Sequence, residues 1–497
     1  MQLIITKNLA EAKPELVFFP VLEDSLKIDK IFNQLESAES KLLLLRRKRE
    51  NFQGKAGQIF VIQKSDRQIV ILGSGQKQKL DLESWRLLAG QIANYLKKYQ
   101  AKNVGLVASS WLLGSQNYQA LALGLAEGLF LASYDFNKYR KQTSEQIKIN
   151  LENLFIELAS DKKNKFISAW QIGEAQAKAT ILARDLVNEP ANIMTPTFLA
   201  EVAKDIAKKS KQIRVRILEK EAVLKLGMGA FIGVDQGSHE DLKFIHLVYK
   251  PKIRPKDRLA LVGKGVTFDS GGLNIKTGDH MGQMKIDMAG AATVLGVFSS
   301  LTELNIKSEV HGIIAACENM PSGSALRPGD IVKNMQGKTI EIGNTDAEGR
   351  VTLADALAYA QKLGIKKIID LATLTGAIMV ALGTDYAGLF SNNEDLSKDL
   401  LKASKLSSEK IWPLPLAPEY KNLNRSLIAD IRNIPSNRMG GAITAALFLQ
   451  EFINDDVAWA HLDIAAPAYA EKAMNTYTPV GGVGFGVRTI LEYLKNI

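Results

Sequence analysis

Two acidic residues and an arginine lie close together in the heptapeptide NTDAEGR at residues 344–350. A short strand of alternating side chains is predicted before it, and a helix rich in strong helix formers is predicted after it. In an extended segment the side chains of Asp346 and Glu348 point to the same side, and Arg350 places a fixed cation beside them. One alternative is that the acidic pair only caps the helix. The loop is nevertheless a candidate for catalysis or metal binding.

A second group of charged residues follows the apolar segment 259–262, which is predicted to be a buried strand. It consists of Lys264, Asp269, Lys276 and Asp287, which we expect on glycine-rich loops that leave this strand. Such loops can also bind phosphate, but the spacing fits neither the Walker pattern nor the dinucleotide-binding pattern. Because ligands bind at the carboxyl ends of strands in open α/β sheets, the two groups are expected to meet there.

Together the two groups supply three aspartates, a glutamate and a lysine amine, which are enough to hold two divalent cations. Carboxylates suit Mg²⁺, Mn²⁺ and Zn²⁺, and a neutral lysine amine suits Mn²⁺ or Zn²⁺ better than Mg²⁺. A histidine-rich site is disfavoured, because the five histidines are scattered and the sequence has no HExxH motif. His461 and the single cysteine, Cys317, both lie in apolar segments. We expect them to be a core histidine and a structural thiol.

Strand-like and helical segments alternate along most of the chain, which predicts an α/β protein. Residues 1–160 are predicted to form a smaller α/β domain, residues 161–187 a linker helix, and residues 188–497 the catalytic domain. In the last of these, repeated strand–helix alternation favours a mainly parallel central sheet covered on both faces. Its predicted strands are residues 213–218, 244–249, 259–262, 309–316, 340–342, 367–372 and 457–463.

Composition places the chain among ordinary globular proteins, with 46% hydrophobic and 23% charged residues in a length of 497. One cysteine rules out an intramolecular disulfide framework. No run of apolar residues is long enough to span a membrane, and no signal peptide is evident at the N-terminus. The expectation is a cytoplasmic enzyme without a membrane partner.

The formal net charge is +10, with lysines concentrated at residues 161–165, 202–212 and 397–410. Contacts with phosphates could give weak nucleic-acid affinity. However, no aromatic residues interleave these runs, and solvated surface is the default interpretation. Nucleic-acid binding is therefore possible but not expected as the main function.

Beyond these inferences, the chain resembles the leucyl aminopeptidase family, the cytosol aminopeptidases of peptidase family M17. The heptapeptide matches that family's signature, and residues 263–272 with 284–288 match its second characteristic block. Further matches occur at residues 188–192, 372–376, 441–446 and 459–465. The resemblance implies a smaller N-terminal macro-like α/β domain and a larger catalytic α/β domain with a central, mainly parallel sheet.

The resemblance also implies the chemistry and the role of each site residue. Two Mn²⁺ or Zn²⁺ ions per subunit would bind the α-amine of a peptide, polarise its first carbonyl and activate a water molecule. Lys276 would stabilise the oxyanion, and Arg350 would hold a bicarbonate ion as general base. The implied metal ligands are Lys264, Asp269, Asp287, Asp346 and Glu348.

The same resemblance suggests a substrate pocket and an assembly state. The pocket for the first side chain would be lined by Met284, Thr373, Gly376 and Ala465, which suits leucine and other apolar residues. A homohexamer is implied by the resemblance alone. Two alternatives stay open: another dinuclear metallohydrolase such as an amidase, and a DNA-binding or architectural protein with a vestigial site.

Overall fold

The computed structural model describes residues 1–23, 49–108, 117–141 and 149–497. The chain divides into two compact units, residues 1–178 with 473–479 and residues 179–472 with 480–497. Both are built from strands and helices, so the predicted two-domain α/β architecture is confirmed. The division falls inside one long helix, Lys163–Asn188. The finer domain boundaries at residues 160 and 187 stay predictions.

The first unit contains one six-stranded sheet among its described residues. Its strands are β1 (Gln2–Thr6), β2 (Leu16–Val21), β3 (Ile59–Gln63), β4 (Gln68–Gly73), β5 (Asn103–Leu106) and β6 (Asn153–Glu157). Its helices are α1 (Leu9–Ala12), α2 (Leu82–Lys98), α3 (Tyr118–Ser133) and the start of α4 (Lys163–Asn188), with 3-10 segments at Lys77–Lys79 and Ser160–Lys162. The spatial order is β1-β6-β5-β2-β4-β3, and only the β3–β4 pair is antiparallel.

The second unit is organised around an eight-stranded sheet. The unit's strands are β7 (Ile213–Leu218), β8 (Lys243–Tyr249), β9 (Arg258–Asp269), β10 (Glu309–Asn319), β11 (Ile331–Lys333), β12 (Thr339–Glu341), β13 (Lys367–Ala372), β14 (Ala387–Ser391), β15 (Ile411–Pro413), β16 (Ile431–Arg432), β17 (Ala458–Asp463), β18 (Tyr469–Ala470) and β19 (Gly481–Gly482). The large sheet has the order β15-β14-β17-β13-β9-β10-β8-β7. Its four central strands, β17, β13, β9 and β10, are parallel, as predicted.

Helices cover this sheet and connect its strands. After the end of α4 they are α5 (Pro196–Lys208), α6 (Lys220–Lys225), α7 (Gly229–Asp235), α8 (Ala289–Ser300), α9 (Glu348–Lys362), α10 (Gly376–Leu382), α11 (Glu394–Ser407), α12 (Gly441–Gln450) and α13 (Val487–Asn496), with 3-10 segments at Gly278–Ile286 and Pro418–Asn424. No helix within the described ranges combines the length and apolarity needed to cross a membrane.

The core of the second unit lies on both faces of the large sheet. Along β9, Leu259 and Leu261 pack into one hydrophobic cluster, whereas Ala260 and Val262 pack into another. All four are fully buried. Alternating side chains that are buried on both sides are typical of a central strand in a parallel sheet.

Two predictions about the elements around the charged residues were wrong. β9 does not end at residue 262 but continues to Asp269, so Lys264 lies within the strand rather than on a loop. Gly263 serves close packing, because a Cβ there would lie 2.7 Å from the carbonyl oxygen of Gly290 in α8. In addition, residues 340–342 were predicted to belong to the central sheet. The strand there, β12, precedes the heptapeptide and belongs to a separate sheet with β11 and β16.

Candidate metal and catalytic centre

The structure brings the five predicted metal ligands together beside the carboxyl end of β9. Lys264 and Asp269 belong to β9, Asp287 directly follows the 3-10 segment Gly278–Ile286, and Glu348 is the first residue of α9. Carboxylate oxygens of Asp269, Asp346 and Glu348 all lie within 4.8 Å of one another. Two segments that are about eighty residues apart in sequence thus form one acidic cluster.

Lys264 connects the two sides of this cluster. Its Nζ lies 2.8 Å from Oδ2 of Asp287 and 2.9 Å from Oε1 of Glu348, and it donates a hydrogen bond to the carbonyl of Thr373 at 3.0 Å. Burial alone would lower the pKa of Lys264, but the neighbouring carboxylates outweigh burial and hold that pKa above its usual range. The amine is therefore charged in this arrangement.

Lys276 contacts two further carboxylates of the cluster, as Lys264 contacts Asp287 and Glu348. Its Nζ lies 2.8 Å from Oδ2 of Asp269 and 2.6 Å from Oδ1 of Asp346. Burial would lower the pKa of Lys276, but these carboxylates raise it above the ordinary value. The predicted oxyanion donor thus lies within the cluster, directly against two of the predicted ligands.

The donor set fits divalent cations. Burial raises the pKa values of Asp269, Asp287 and Asp346, because a carboxylate loses favourable hydration when it leaves water. Oε2 of Glu348 is buried and has no hydrogen-bond partner among the described residues. Oδ2 of Asp287 and Oδ1 of Asp346 lie at ion-pair distance from a lysine nitrogen without hydrogen-bond geometry. Closely spaced carboxylate oxygens with free lone pairs are suitable ligands for Mn²⁺ or Zn²⁺.

The helix that follows the heptapeptide is not capped by the acidic pair. Ala347 occupies the N-cap position of α9, and no side-chain hydrogen bond caps the helix there. The backbone N–H of Asp346 instead donates a hydrogen bond to Oδ1 of Asn344 at 2.8 Å. The capping alternative therefore does not explain why Asp346 and Glu348 are present.

Arg350 is buried in the first turn of α9 beside the cluster. Its Nη1 donates to the carbonyl of Asn433 at 2.9 Å, whereas its Nε has no hydrogen-bond partner among the described residues. Burial lowers the pKa of Arg350 to about 10, and the charges of Glu348 and Asp463 act in the opposite direction. The guanidinium is therefore cationic at neutral pH and retains a free donor.

Sequence reasoning missed the residues that hold the ligands in place. Asn319, the last residue of β10, donates from its Nδ2 to Oδ1 of Asp269 at 2.8 Å and to the carbonyl of Thr345 at 3.0 Å. The polar pair Glu318 and Asn319 directly after the apolar segment 312–317 was a usable signal for it. Asn433 offered no such signal, although its Oδ1 accepts the N–H of Gly343 at 2.7 Å.

The four predicted pocket residues lie on three segments next to the cluster. Met284 is half-buried on the 3-10 segment that leads to Asp287, whose Oδ1 accepts the hydroxyl of Thr373 at 2.7 Å. Gly376 is the exposed first residue of α10. Ala465 is half-buried against an apolar cluster that includes Ile378, Phe390, Ala442, Ala446 and Ala466. The pocket assignment stays a prediction.

His461 and Cys317 are both fully buried, as expected for core residues. Nδ1 of His461 lies 2.6 Å from Oδ1 of Asp370, and the indole N–H of Trp459 donates to the other oxygen of the same carboxylate at 2.7 Å. Neither His461 nor Cys317 belongs to the acidic cluster.

Comparison with known proteins decides the family. The family model "Cytosol aminopeptidase family, catalytic domain" matches residues 181–491, and the corresponding N-terminal domain model matches residues 19–143. The chain belongs to the cytosol aminopeptidase family. It is 42% identical over 482 residues to a probable cytosol aminopeptidase of Persephonella marina, and the alignment covers 96% of this chain and 94% of that protein.

Solved structures agree with this membership. A mutant of tomato leucine aminopeptidase matches with a TM-score of 0.89 and 38% identity, covering 100% of this chain and 97% of that one. The bottromycin maturation enzyme BotP in complex with Mn matches with a TM-score of 0.84 and 33% identity, covering 97% of this chain and 99% of that one. The chain is therefore an aminopeptidase of a metal-dependent family.

Proposed function

We propose that this aminopeptidase removes N-terminal apolar residues, preferably leucine, from peptides with the help of two divalent cations. The supporting observation is that predicted ligands from distant segments form one cluster, in which Asp269 and Glu348 are buried, Asp346 is half-buried, and the three carboxylates lie within 4.8 Å of one another. The ligands would be Lys264, Asp269, Asp287, Asp346 and Glu348. The solved complex of the relative BotP with Mn favours Mn²⁺, and Zn²⁺ suits the same donors.

Each residue would contribute a defined part of the chemistry. Bound cations would supply Lewis acidity toward the peptide carbonyl and a water activated at neutral pH. Asp269, whose Oδ2 faces Lys276, and Glu348, whose Oε1 faces Lys264, would both help to hold the cations. For Lys264 to act as a ligand, its amine must lose its proton, so metal binding there would release a proton.

The two cationic residues that are not ligands would act on the substrate and on the general base. Lys276 would keep its proton and donate hydrogen bonds to the oxyanion that forms when the carbonyl is attacked. Arg350 would hold a bicarbonate ion through its free donor, because a guanidinium suits a planar, bidentate oxyanion. A rate that rises with added bicarbonate in the wild type, but not in Arg350→Ala, would support this role.

A metal-depletion experiment tests the proposal. Protein stripped with a chelator should lose hydrolysis of leucine p-nitroanilide and regain it when Mn²⁺ or Zn²⁺ is restored. Full activity of demonstrably metal-free protein would overturn the proposal. N-acetyl-leucine p-nitroanilide is the matched substrate, because acetylation removes the free amine that the site must bind. Equal cleavage of both substrates would instead favour an amidase.

Three further expectations remain proposals. A homohexamer is testable by light scattering, and the cytoplasmic location by fractionation. Weak nucleic-acid affinity, which the net charge of +10 allows, would show as salt-dependent binding. Strong DNA binding in a protein without peptidase activity would favour the architectural alternative.

A further inference from the structure

A buried carboxylate outside the proposed ligand set joins two segments that carry proposed pocket residues. Asp463, the last residue of β17, is 1% exposed. Its Oδ1 accepts the backbone N–H of Leu374 at 3.1 Å and that of Ala465 at 3.2 Å, and its Oδ2 accepts the hydroxyl of Thr375 at 2.7 Å. One side chain thus binds the segment that follows β13 and the segment that follows β17.

The first of these segments also contacts the proposed metal ligands. Thr373 accepts a hydrogen bond from Lys264 with its carbonyl and donates one to Asp287 with its hydroxyl. Two residues later, Oγ1 of Thr375 accepts the N–H of Ile378 at 3.2 Å and so caps α10. The segment 373–376 is therefore fixed to the ligands at one end and to Asp463 at the other.

The second segment lies directly after Asp463 and carries Ala465. The first segment carries the proposed pocket residues Thr373 and Gly376 and the second carries Ala465, so the separation of these residues depends on the hydrogen bonds that meet at Asp463. Hydrogen bonds to an ionised carboxylate are stronger than those between neutral groups. This arrangement can hold two loop segments at a defined distance where apolar packing alone would leave them adjustable.

We propose that Asp463 is a positioning residue that sets the width of the pocket for the first side chain, and thereby the preference among apolar N-terminal residues. This inference rests on the proposed function, because the pocket is part of it. Asp463 touches neither a proposed ligand nor the substrate in this scheme. It acts through Leu374, Thr375 and Ala465.

A merely structural role is the competing explanation, and the chain offers a matched control for it. Asp370 is also a fully buried carboxylate in the same sheet, on the neighbouring strand β13. Its hydrogen-bond partners are Trp459 and His461, which both belong to β17 rather than to a pocket segment. Asp370→Asn should therefore weaken the fold in a comparable way without moving Gly376 or Ala465.

The test compares Asp463→Asn with Asp370→Asn in manganese-loaded protein. Asparagine preserves the volume but removes the negative charge and replaces one acceptor oxygen with a donor, so either the Thr375 hydroxyl or the two backbone N–H groups lose their acceptor. We expect Asp463→Asn to retain its metal and to lower the ratio of kcat/KM for leucine over alanine p-nitroanilide by roughly tenfold, the scale of a misfitted apolar pocket. Asp370→Asn should lower the midpoint temperature of thermal unfolding and leave the leucine-to-alanine ratio within about twofold of the wild-type value.

Hydrogen exchange provides a readout that does not depend on activity. In metal-free protein, the amides of Leu374 and Ala465 should exchange faster in Asp463→Asn than in Asp370→Asn, relative to the core strands. An unchanged substrate ratio together with unchanged exchange at these amides would overturn the inference. Absence of aminopeptidase activity in the wild type would defeat the proposed function and the pocket-width claim, while the exchange result would still test whether Asp463 holds the segments.

A second variant covers the case in which Asp463→Asn does not fold. Thr375→Val removes the hydroxyl that donates to Asp463, together with the cap that its oxygen gives to the N–H of Ile378, and keeps the shape of the side chain. The leucine-to-alanine ratio should shift in the same direction and by a smaller factor. A wild-type ratio in a folded Thr375→Val protein that retains its metal would contradict the role of this hydrogen bond and overturn the inference.

Discussion

Replacing Gly349 with alanine should damage the metal site while it leaves the fold largely intact. A Cβ added at Gly349 would lie 2.4 Å from Cε and 2.5 Å from Nζ of Lys264. Since non-bonded heavy atoms need about 3.5 Å or more, the Lys264 amine must move by about 1 Å. Metal–ligand distances are defined to about 0.2 Å. The displaced amine would therefore no longer fit a coordination geometry shared with Asp287 and Glu348.

The expected magnitudes differ for function and for stability. Loss of support around a metal ligand costs about 10- to 100-fold in metal affinity, and a misplacement of about 1 Å can cost about 100-fold in rate. In contrast, the colliding atoms belong to the flexible end of a side chain, and alanine is favoured over glycine in a helix by about 1 kcal/mol. We expect the free energy of unfolding to fall by no more than about 2 kcal/mol.

The assay combines chelator competition, kcat/KM with leucine p-nitroanilide and denaturant unfolding. Gly323→Ala is the neutral control, because an added methyl there meets no described atom within 4 Å. Gly290→Ala is the opposite control: its Cβ would lie 2.0 Å from the backbone oxygen of Leu371, so it should disrupt the fold itself. Wild-type metal affinity and turnover in Gly349→Ala would refute the reasoning that the position of the Lys264 amine matters.

Three other predictions concern ligands, the oxyanion and pH. Glu348→Ala should lose both its metal and its activity with little loss of stability. Wild-type metal content in metal analysis together with wild-type turnover would contradict the assignment of Glu348 as a ligand. Lys276→Ala should retain both metals while turnover falls by about 10²- to 10³-fold, so normal turnover would remove its oxyanion role. Burial, followed by the charges of His311 and two arginines, lowers the pKa of His246 to about 4. Because this lies below the unfolded value of about 6.5, the stability from the neutral ring is lost as pH falls from about 6.5 to 4, by up to roughly 3 kcal/mol. Unfolding of metal-free His246→Gln should show a shallower acid decline than metal-free wild type; equal slopes would contradict it.

The local sequence around the site predicted its charged residues but not their structural context. Three of them could be identified from the sequence, namely Asp269, Asp346 and Glu348, because each follows or precedes a recognisable apolar or helical segment. Lys264 was assigned to a loop because Gly263 and Gly265 resemble a turn, whereas these glycines allow close packing within β9. Gly263 packs against α8 and Gly265 against β10, and no local pattern around residue 264 reveals either neighbour.

Other elements give only weak local signals or depend on distant parts of the chain. β1 and β6 are five-residue strands with largely half-buried residues, and such short segments lack a clear apolar run. The pairing of β12 with β16 joins residues 340 and 431. Asn433, which fixes the backbone before the heptapeptide, lies beside this pair, so its role appears only once the small sheet is formed.

The buried carboxylates of the second unit differ in what surrounds them, and this difference separates scaffold from site. Asp355 accepts the backbone N–H groups of Phe231 and Met335, so neutral donors satisfy its carboxylate. Oε1 of Glu348 lies 2.9 Å from the Lys264 amine, and its Oε2 has no hydrogen-bond partner among the described residues. Asp269 combines both situations: Gly271 and Asn319 fix Oδ1, whereas Oδ2 faces Lys276. A carboxylate held by neutral donors needs no cation, because backbone N–H groups already satisfy its oxygens as hydrogen-bond acceptors. One whose partners are ammonium groups would keep lone pairs for a metal, and Asp269 is held on one oxygen while it offers the other to the cluster, as a well-positioned metal ligand would require.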